Sequence, residues 1–316
     1  MGKFITITLN PAIDYVMEVS DFSQGETSSV INSYTYPAGK GVNVARALAC
    51  MEEQTVAIGI IGENDVKFFD TIGNAWLTTD WATSNQSTRK NITICDIAKY
   101  TETHLRNTVK TNEAFPTTAI IDKLHTHCKK DDIVILSGSQ PKNAPDDTLY
   151  RLCMECKKIG AKAVVDSSGA PMLRALEASP YMIKPNVKEL EELTGRTFDG
   201  QDQMAQGMFD VALKYDIQLV VLSMGKDGAM IFDKKEDRLY RGCSRMGHTN
   251  FMPHAVGSGD AMVAGMCAEL MKQKAASSIL KKGIACGTAN LYTTIPGQLE
   301  ADEVEHQMEL VSLYVR

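Results

Sequence analysis

Short runs of apolar, mostly β-branched residues alternate along the whole chain with longer stretches whose apolar positions recur every three or four residues. The short runs are unbroken in Ile133, Val134, Ile135 and Leu136, and again in Leu219, Val220, Val221 and Leu222. A run without polar alternation suits a strand covered on both faces, as in a parallel sheet. The pattern predicts strands over residues 4–9, 55–61, 132–136, 161–166, 181–184 and 218–223. Helical periodicity predicts helices over 43–53, 120–128, 146–159, 187–193 and 203–215. Alternation of this kind gives an α/β class: a doubly wound, mostly parallel sheet with helices on both faces.

Two segments depart from the rhythm. Residues 13–36 place Tyr15, Met17, Val19, Val30, Tyr34 and Tyr36 in alternation around a polar turn at Ser23-Gln24-Gly25, and residues 91–100 form a second β-rich run. Together they predict a small antiparallel β-lid outside the main sheet. So small a unit is marginal alone and has to dock its apolar face, on its own domain or on a second subunit. The chain then divides into a core of residues 1–12, 37–86 and 111–316 and a discontinuous lid of 13–36 and 87–110, and we expect a homodimer clasped through that lid.

Composition narrows the classes. At 316 residues, with 44% hydrophobic and 23% charged positions, the chain is of ordinary globular make-up and can bury a sizeable core. A formal charge of −6 argues against a nucleic-acid or anionic-membrane binder. The sequence shows no apolar run of membrane-spanning length and no secretory pattern, so a cytoplasmic protein is expected. Its eight cysteines are scattered, mostly in apolar segments, as reduced buried thiols are. Cys153 and Cys156 form a CxxC on an expected helix but lack the second pair of a zinc site, and His125, His127 and Cys128 lack a partner group.

Chemistry concentrates where strands give way to helices. Gly257-Ser258-Gly259-Asp260 opens a long apolar helical run. Unpaired N–H groups and the positive end of a helix dipole at such a turn suit an anion, and Asp260 at its mouth can accept a proton from an attacking hydroxyl. The turn can equally be a capped helix start. Pro37-Ala38-Gly39-Lys40-Gly41-Val42-Asn43 is a second glycine turn, with a cation inside it but without P-loop spacing. Lys184-Pro185-Asn186 through Glu189 ends a strand and begins a helix. Asn186 and Glu189 fit a capping box, or oxygen donors to hydrated Mg²⁺. Ser223 through Gly228, Ser137-Gly138-Ser139 and Asn10-Pro11-Ala12-Ile13-Asp14 also follow expected strands, at the edge where open α/β sheets bind ligands.

Taken in order, these motifs make the chain resemble the ribokinase-like, phosphofructokinase B superfamily of sugar kinases over essentially its whole length, and within it the 1-phosphofructokinase and tagatose-6-phosphate kinase branch. The likeness rests on Thr8 through Asp14, Ala38 through Asn43, Ser137-Gly138-Ser139, Lys184 through Glu189, Ser223 through Gly228, and Gly257 through Asp260. It implies a ribokinase-like core with a β-lid, ATP and Mg²⁺ as cofactors with room for a monovalent cation, and a small sugar phosphate as partner. It implies Asp260 as base, with the backbone of Gly257, Ser258, Gly259 and Asp260 as anion hole. Asp14, Gly39, Lys40, Asn43 and Ser137 would hold the sugar and Arg89 its phosphate. Lys184, Asn186, Ser223, Gly225 and Gly228 would line the nucleotide, with Asn186 and Glu189 near the metal, bridged by water.

Two positions and one stretch depart from the family pattern: Ala38 stands for a glycine, Thr93 for a lysine common in 1-phosphofructokinases, and residues 102–107 for an acidic Gly-Pro stretch. The expected reaction is phosphorylation of fructose 1-phosphate to fructose 1,6-bisphosphate, with tagatose 6-phosphate as the alternative substrate. A non-catalytic sugar-phosphate sensor on the same fold is the alternative from another class, but would not need Asp260. A nicotinamide dehydrogenase would want GxGxxG after the first strand, where Asn10-Pro11 stands instead.

Overall fold

The structure, a computed structural model, describes residues 2–107, 113–245 and 256–315. The chain enters on β1 (Phe4–Thr8), makes the hairpin β2 (Ala12–Val19) and β3 (Val30–Ala38), and turns into α1 (Lys40–Cys50). Next come β4 (Thr55–Gly62), the short α2 (Val66–Phe69), β5 (Leu77–Ser84) and a second hairpin, β6 (Arg89–Asp96) and β7 (Thr101–Arg106). Alternation then resumes with α3 (Thr117–His127), β8 (Ile133–Ser137), α4 (Thr148–Ile159), β9 (Lys162–Asp166), α5 (Gly169–Leu176) and β10 (Met182–Ile183). It continues through α6 (Val187–Thr194), α7 (Gln201–Lys214), β11 (Leu219–Ser223), β12 (Ala229–Asp233) and β13 (Arg238–Ser244). The chain ends with α8 (Ser258–Met271), α9 (Ala276–Ala289), α10 (Ala301–Leu310) and β14 (Val311–Val315).

Ten strands form one sheet in the order β14-β13-β12-β11-β10-β9-β8-β1-β4-β5. Pairing is parallel from β5 through β11 and antiparallel from β11 through β14. Successive residues of a strand point to opposite faces, and the apolar runs divide accordingly. Val134, Leu136, Val220 and Leu222 pack with α3 to α7, whereas Ile133, Ile135, Leu219 and Val221 pack with α1, α8 and α9. The doubly covered sheet expected from the pattern is therefore present. From β1 the chain steps outward to β4 and β5 on one side and to β8, β9 and β10 on the other, leaving a crevice at the carboxyl ends of β1 and β8.

The four strands β3-β2-β6-β7 form a second, smaller sheet. The expectation of a purely antiparallel unit is corrected here. Both hairpins are antiparallel, but they join through parallel pairing of β2 with β6, Ala12 to Val19 against Arg89 to Asp96. Because β6 arrives from β5 rather than from a tight turn, it can run alongside β2. Strand β5 and helices α5, α9 and α10 also form where periodicity gave no expectation; β5 carries Thr78, Thr79 and Asp80 and so lacks an apolar run. Residues 108–110 of the expected lid and Ala255 before the Gly257 turn lie outside the described residues.

Asp96 ties the smaller sheet together. Its carboxylate is buried and accepts four backbone N–H bonds, from Asp21 (3.0 Å), Phe22 (2.7 Å), Ala98 (3.0 Å) and Lys99 (3.1 Å). One side chain thus closes both hairpin turns, and removing it leaves four donors to find water. Asp96→Ala is expected to raise hydrogen exchange at the amides of residues 21, 22, 98 and 99 while the ten-stranded sheet keeps its protection. Unchanged protection at those four amides in a native-state exchange experiment would refute this role.

Candidate active site

The turn from β3 into α1 lies against β1. Gly39 has φ 127°, a conformation that favours glycine, and a Cβ on Gly41 would collide with Thr8 Oγ1. Ala38 has no such requirement, being the last residue of the extended β3, so the missing family glycine is tolerated. The tight approach sets the first turn of α1, and with it Lys40 and Asn43, over the carboxyl end of β1. Arg46, one turn further on, donates to Asn43 Oδ1 (3.2 Å), to Pro296 O (2.5 Å) and to Pro37 O (2.7 Å). With its oxygen thus occupied, Asn43 turns its amide nitrogen the other way and donates to Asp260 Oδ2 at 2.8 Å.

Asp260 lies in the first turn of α8. Gly257 precedes that helix at φ 92°, and a Cβ there would meet Pro296 at 2.6 Å. The first helical bond runs from Ala261 N to Gly257 O (2.8 Å). The amides of Ser258, Gly259 and Asp260 therefore have no intrahelical partner. Asp260 itself is 5% exposed. Burial, with the like charge of Asp166 adding to it, pushes its carboxyl up to about 7, against the pull of Lys40, Asn43 and Lys184. A base with such an affinity suits proton transfer near neutral pH.

Asp166, which the sequence reading passed over, is the electrostatic centre of the site. At the end of β9 and 1% exposed, it pairs with Lys184 Nζ at 3.2 Å and Lys40 Nζ at 3.4 Å. Burial disfavours its charge, but the two ammonium groups outweigh burial and hold the carboxyl below its usual range. Lys40 is held above its ordinary value in spite of burial, by the charges of Asp166, Asp260 and Glu189. An acid closing an apolar parallel strand was the available signal for Asp166.

The smaller sheet supplies the opposite wall. Register places Tyr36, Asp14, Asn91 and Arg106 in a row across its four strands, with Arg89 two residues from Asn91 on the same face. Asn91 Nδ2 donates to Asp14 Oδ1 at 2.7 Å. Burial raises the Asp14 carboxyl, opposed by that bond and by the charges of Arg106, Arg89 and Arg46. Arg89 is fastened to the main chain: Nε donates to Asn10 O and Pro11 O (both 3.2 Å), Nη2 to Asn10 O (3.0 Å) and Nη1 to Asn91 Oδ1 (3.3 Å).

Asp14, Gly39, Lys40, Asn43, Arg89 and Asp260 line one cavity of about 310 Å³, together with Gly257, Gly259 and Lys184. Of the sequence candidates, Ser137 and Ser258 are outside this lining, and their buried hydroxyls have no partner among the described residues. Ser139, two residues beyond Ser137, lines an adjoining cavity of about 500 Å³. Asn186, Glu189, Ser223, Gly225 and Gly228 also stand apart from the first cavity, along the carboxyl ends of β10 and β11. There Asn186 and Glu189 form a full capping box, Glu189 N to Asn186 Oδ1 and Asn186 N to Glu189 Oε2, each 2.9 Å. Besides Asp166, the sequence reading missed Arg46, Asn91 and Arg106, whose importance depends on partners far away in the chain.

A carboxylate with a near-neutral affinity for protons, beside free helix amides, the buried Lys184 and the more exposed Lys40, can deprotonate a hydroxyl while an anion is held next to it. Comparison with known proteins places the chain in a family. The model of the pfkB family carbohydrate kinases matches residues 7–295. The chain is 29% identical to the 1-phosphofructokinase of Bacillus subtilis, over 91% of this chain and 92% of that protein. It is 26% identical to a tagatose-6-phosphate kinase of Staphylococcus epidermidis, over 98% and 99%. Its fold is similar to that of phosphofructokinase-2 from Escherichia coli in complex with potassium, with a TM-score of 0.88, 23% identity and coverage of 98% and 99%. The matched span takes in every residue of the pocket from Asp14 to Asp260, and the chain belongs to the pfkB family of carbohydrate kinases.

Proposed function

We propose that the protein transfers the γ-phosphoryl group of ATP to a hydroxyl of a phosphorylated ketohexose, converting fructose 1-phosphate to fructose 1,6-bisphosphate. The bond from Asn43 to Asp260 at the start of α8 carries this reading. With Oδ2 held by Asn43, the Oδ1 of Asp260 is left to take the hydroxyl proton as the new O–P bond forms and the bond from Pγ to the bridging oxygen of ADP breaks. The amides of residues 258–260 and the ammonium groups of Lys40 and Lys184 face the charge that develops on the transferring group, where fixed donors act most strongly. Asp14 and Asn43 orient the sugar, and Arg89 and Lys40 favour a substrate that is already anionic. The smaller sheet acts as a lid that keeps water out.

Nucleotide binding falls to the carboxyl ends of β10 and β11, at Asn186, Ser223, Gly225 and Gly228, with Ser137 backing the sugar side. The oxygens of the capping box suit Mg²⁺ held through water: Glu189 keeps Oε1 outside the box, and oxygen donors fit a hard cation. When bound, the ion would neutralise charge on the ATP phosphates. Tagatose 6-phosphate is the second substrate reading, supported by the Staphylococcus epidermidis relative and by the absence of a lysine at Thr93.

Val30, Ile31 and Leu105 of the smaller sheet are each half exposed. Such a face supports the proposal that two copies dock through their lids. Sedimentation at micromolar concentration should show a dimer that Ile31→Asp dissociates; a fully active wild-type monomer would overturn it.

The substrate is tested by ATP consumption with fructose 1-phosphate, fructose 6-phosphate, tagatose 6-phosphate and free ribose and fructose. Fructose 1-phosphate should give the highest kcat/KM, and a free sugar doing better would refute the assignment. Asp260→Asn should keep ATP binding and lower kcat by about 10²- to 10⁴-fold, the usual share of a general base. Since the base works only when deprotonated, wild-type kcat/KM should fall as pH drops through about 7. A profile flat from pH 8 to 5 would count against Asp260.

A further inference from the structure

We propose that Arg46 is a positioning residue for the transfer: by occupying Asn43 Oδ1, it holds the Asn43 amide in the one orientation that presents a donor, and not an acceptor, to Asp260. This rests on the kinase reading above and names what keeps the acceptor of the hydroxyl proton ionised.

An asparagine amide can turn over in the same space, because its oxygen and nitrogen ends have nearly the same shape. Only its neighbours fix which end goes where. Asn43 is 6% exposed and lies between two groups of opposite kind. On one side Arg46 Nη1 donates to Oδ1 at 3.2 Å; on the other Nδ2 donates to Asp260 Oδ2 at 2.8 Å. A guanidinium has donors only. The reversed amide would therefore set N–H against N–H on one side and oxygen against carboxylate oxygen on the other. Asp260 alone could not enforce this. Ionised, it wants the nitrogen; protonated, it is served by the oxygen, since its O–H can donate. Arg46 removes that second choice and so favours the ionised form.

Arg46 is itself aimed by the main chain. Nη1 also donates to Pro296 O and Nη2 to Pro37 O, which ties the guanidinium to the end of β3 and to the loop after α9. The Asn43 backbone is held independently of Arg46. Its N donates to Gly39 O at 2.9 Å, and Gly297, at φ 79°, packs so closely that a Cβ there would come within 2.2 Å of Asn43 O. The loop has a fastening of its own, Gly297 N to Asn290 Oδ1 at 2.6 Å and Asn290 Nδ2 to Val256 O at 3.2 Å. Loss of the guanidinium leaves these contacts in place and frees the amide of Asn43 to turn. A half-buried arginine bonded to carbonyls is ordinarily a clamp between elements; the bond to Asn43 is what exceeds a clamp.

The charges around the pair act in the same sense. Besides Asn43, Asp260 is faced by Lys40 from α1, Asp166 from the end of β9 and Lys184 beyond β10. Arg46 is faced by Tyr36 from β3, Cys50 from α1, Asp14 from β2 and Asp260 from α8, whose pull opposes the burial that lowers its proton affinity. An arginine stays charged in such a place.

Arg46→Gln and Arg46→Lys separate positioning from clamping. A glutamine amide bonds to either end of Asn43 and imposes no direction, whereas an ammonium has donors only and still does. The Asn43 side-chain amide, followed by NMR through a pH titration of protein labelled at asparagine, reports Asp260 without any substrate. In Arg46→Gln its midpoint should rise by about one pH unit, the tenfold change expected when a hydrogen bond favouring a charged group is lost. The acid limb of kcat/KM for fructose 1-phosphate should rise with it. Arg46→Lys should leave midpoint and limb where the wild type has them. Arg46→Met, which bonds to neither end, should repeat the rise, and it replaces Arg46→Gln if that variant fails to fold. An unmoved midpoint in Arg46→Gln and Arg46→Met, or an equal rise in Arg46→Lys, overturns the positioning role and leaves the kinase reading standing. The expected midpoints in a protein inactive on every ketohexose phosphate uphold the hold of Arg46 on Asn43 and refute the kinase reading.

Discussion

The site depends on one electrostatic constraint, the burial of two carboxylates, Asp166 and Asp260, in the same small space. A buried charge is costly unless it is paired, and two of like sign raise that cost. The structure resolves the conflict unevenly. Asp166 receives both lysines and stays ionised; Asp260 receives an amide and has its proton affinity raised into the neutral range. One carboxylate becomes a fixed counter-charge, and the other is left with the proton affinity that the proposed base requires. Pairs of titratable groups pushed apart in this way mark the division of labour in acid–base sites.

The fold delivers the groups that this arrangement needs from distant parts of the chain. Asp166 ends β9, Lys184 follows β10, Lys40 and Asn43 begin α1, and Asp260 begins α8. All five meet because carboxyl ends of parallel strands and amino ends of the following helices share one edge of the sheet. The lysines carry a second consequence. By neutralising Asp166, they allow the amino end of α8 to remain attractive to an anion, which two unpaired carboxylates would repel.

The smaller sheet complements this edge with charge of the other sign. Asp14 is covered by Asn91, and Arg89 is braced on the Asn10-Pro11 backbone, so the wall facing Asp260 is held rigidly. Asp96 closes both hairpin turns from the far end. Val30, Ile31 and Leu105 of the same sheet are each half exposed, and the proposed dimer would cover them.

The sequence by itself determined the α/β class, the doubly covered strands, and the glycine turns at Gly39 and Gly257, because each is written in contiguous residues: an unbroken apolar run, or a glycine next to a helix start. The Asn186 and Glu189 capping box was legible for the same reason, being a local hydrogen-bond pattern. Asp166 looked like any acid at a strand end, and Arg46, Asn91 and Arg106 like ordinary polar residues. Tertiary structure alone decided their importance, since the bond from Asn43 to Asp260 spans 217 positions and the pair of Lys40 with Asp166 spans 126. It also decided that β2 and β6 run parallel. Local periodicity reports which face a residue presents, but not which distant strand or charge will meet it; that depends on the register and burial of the assembled sheet.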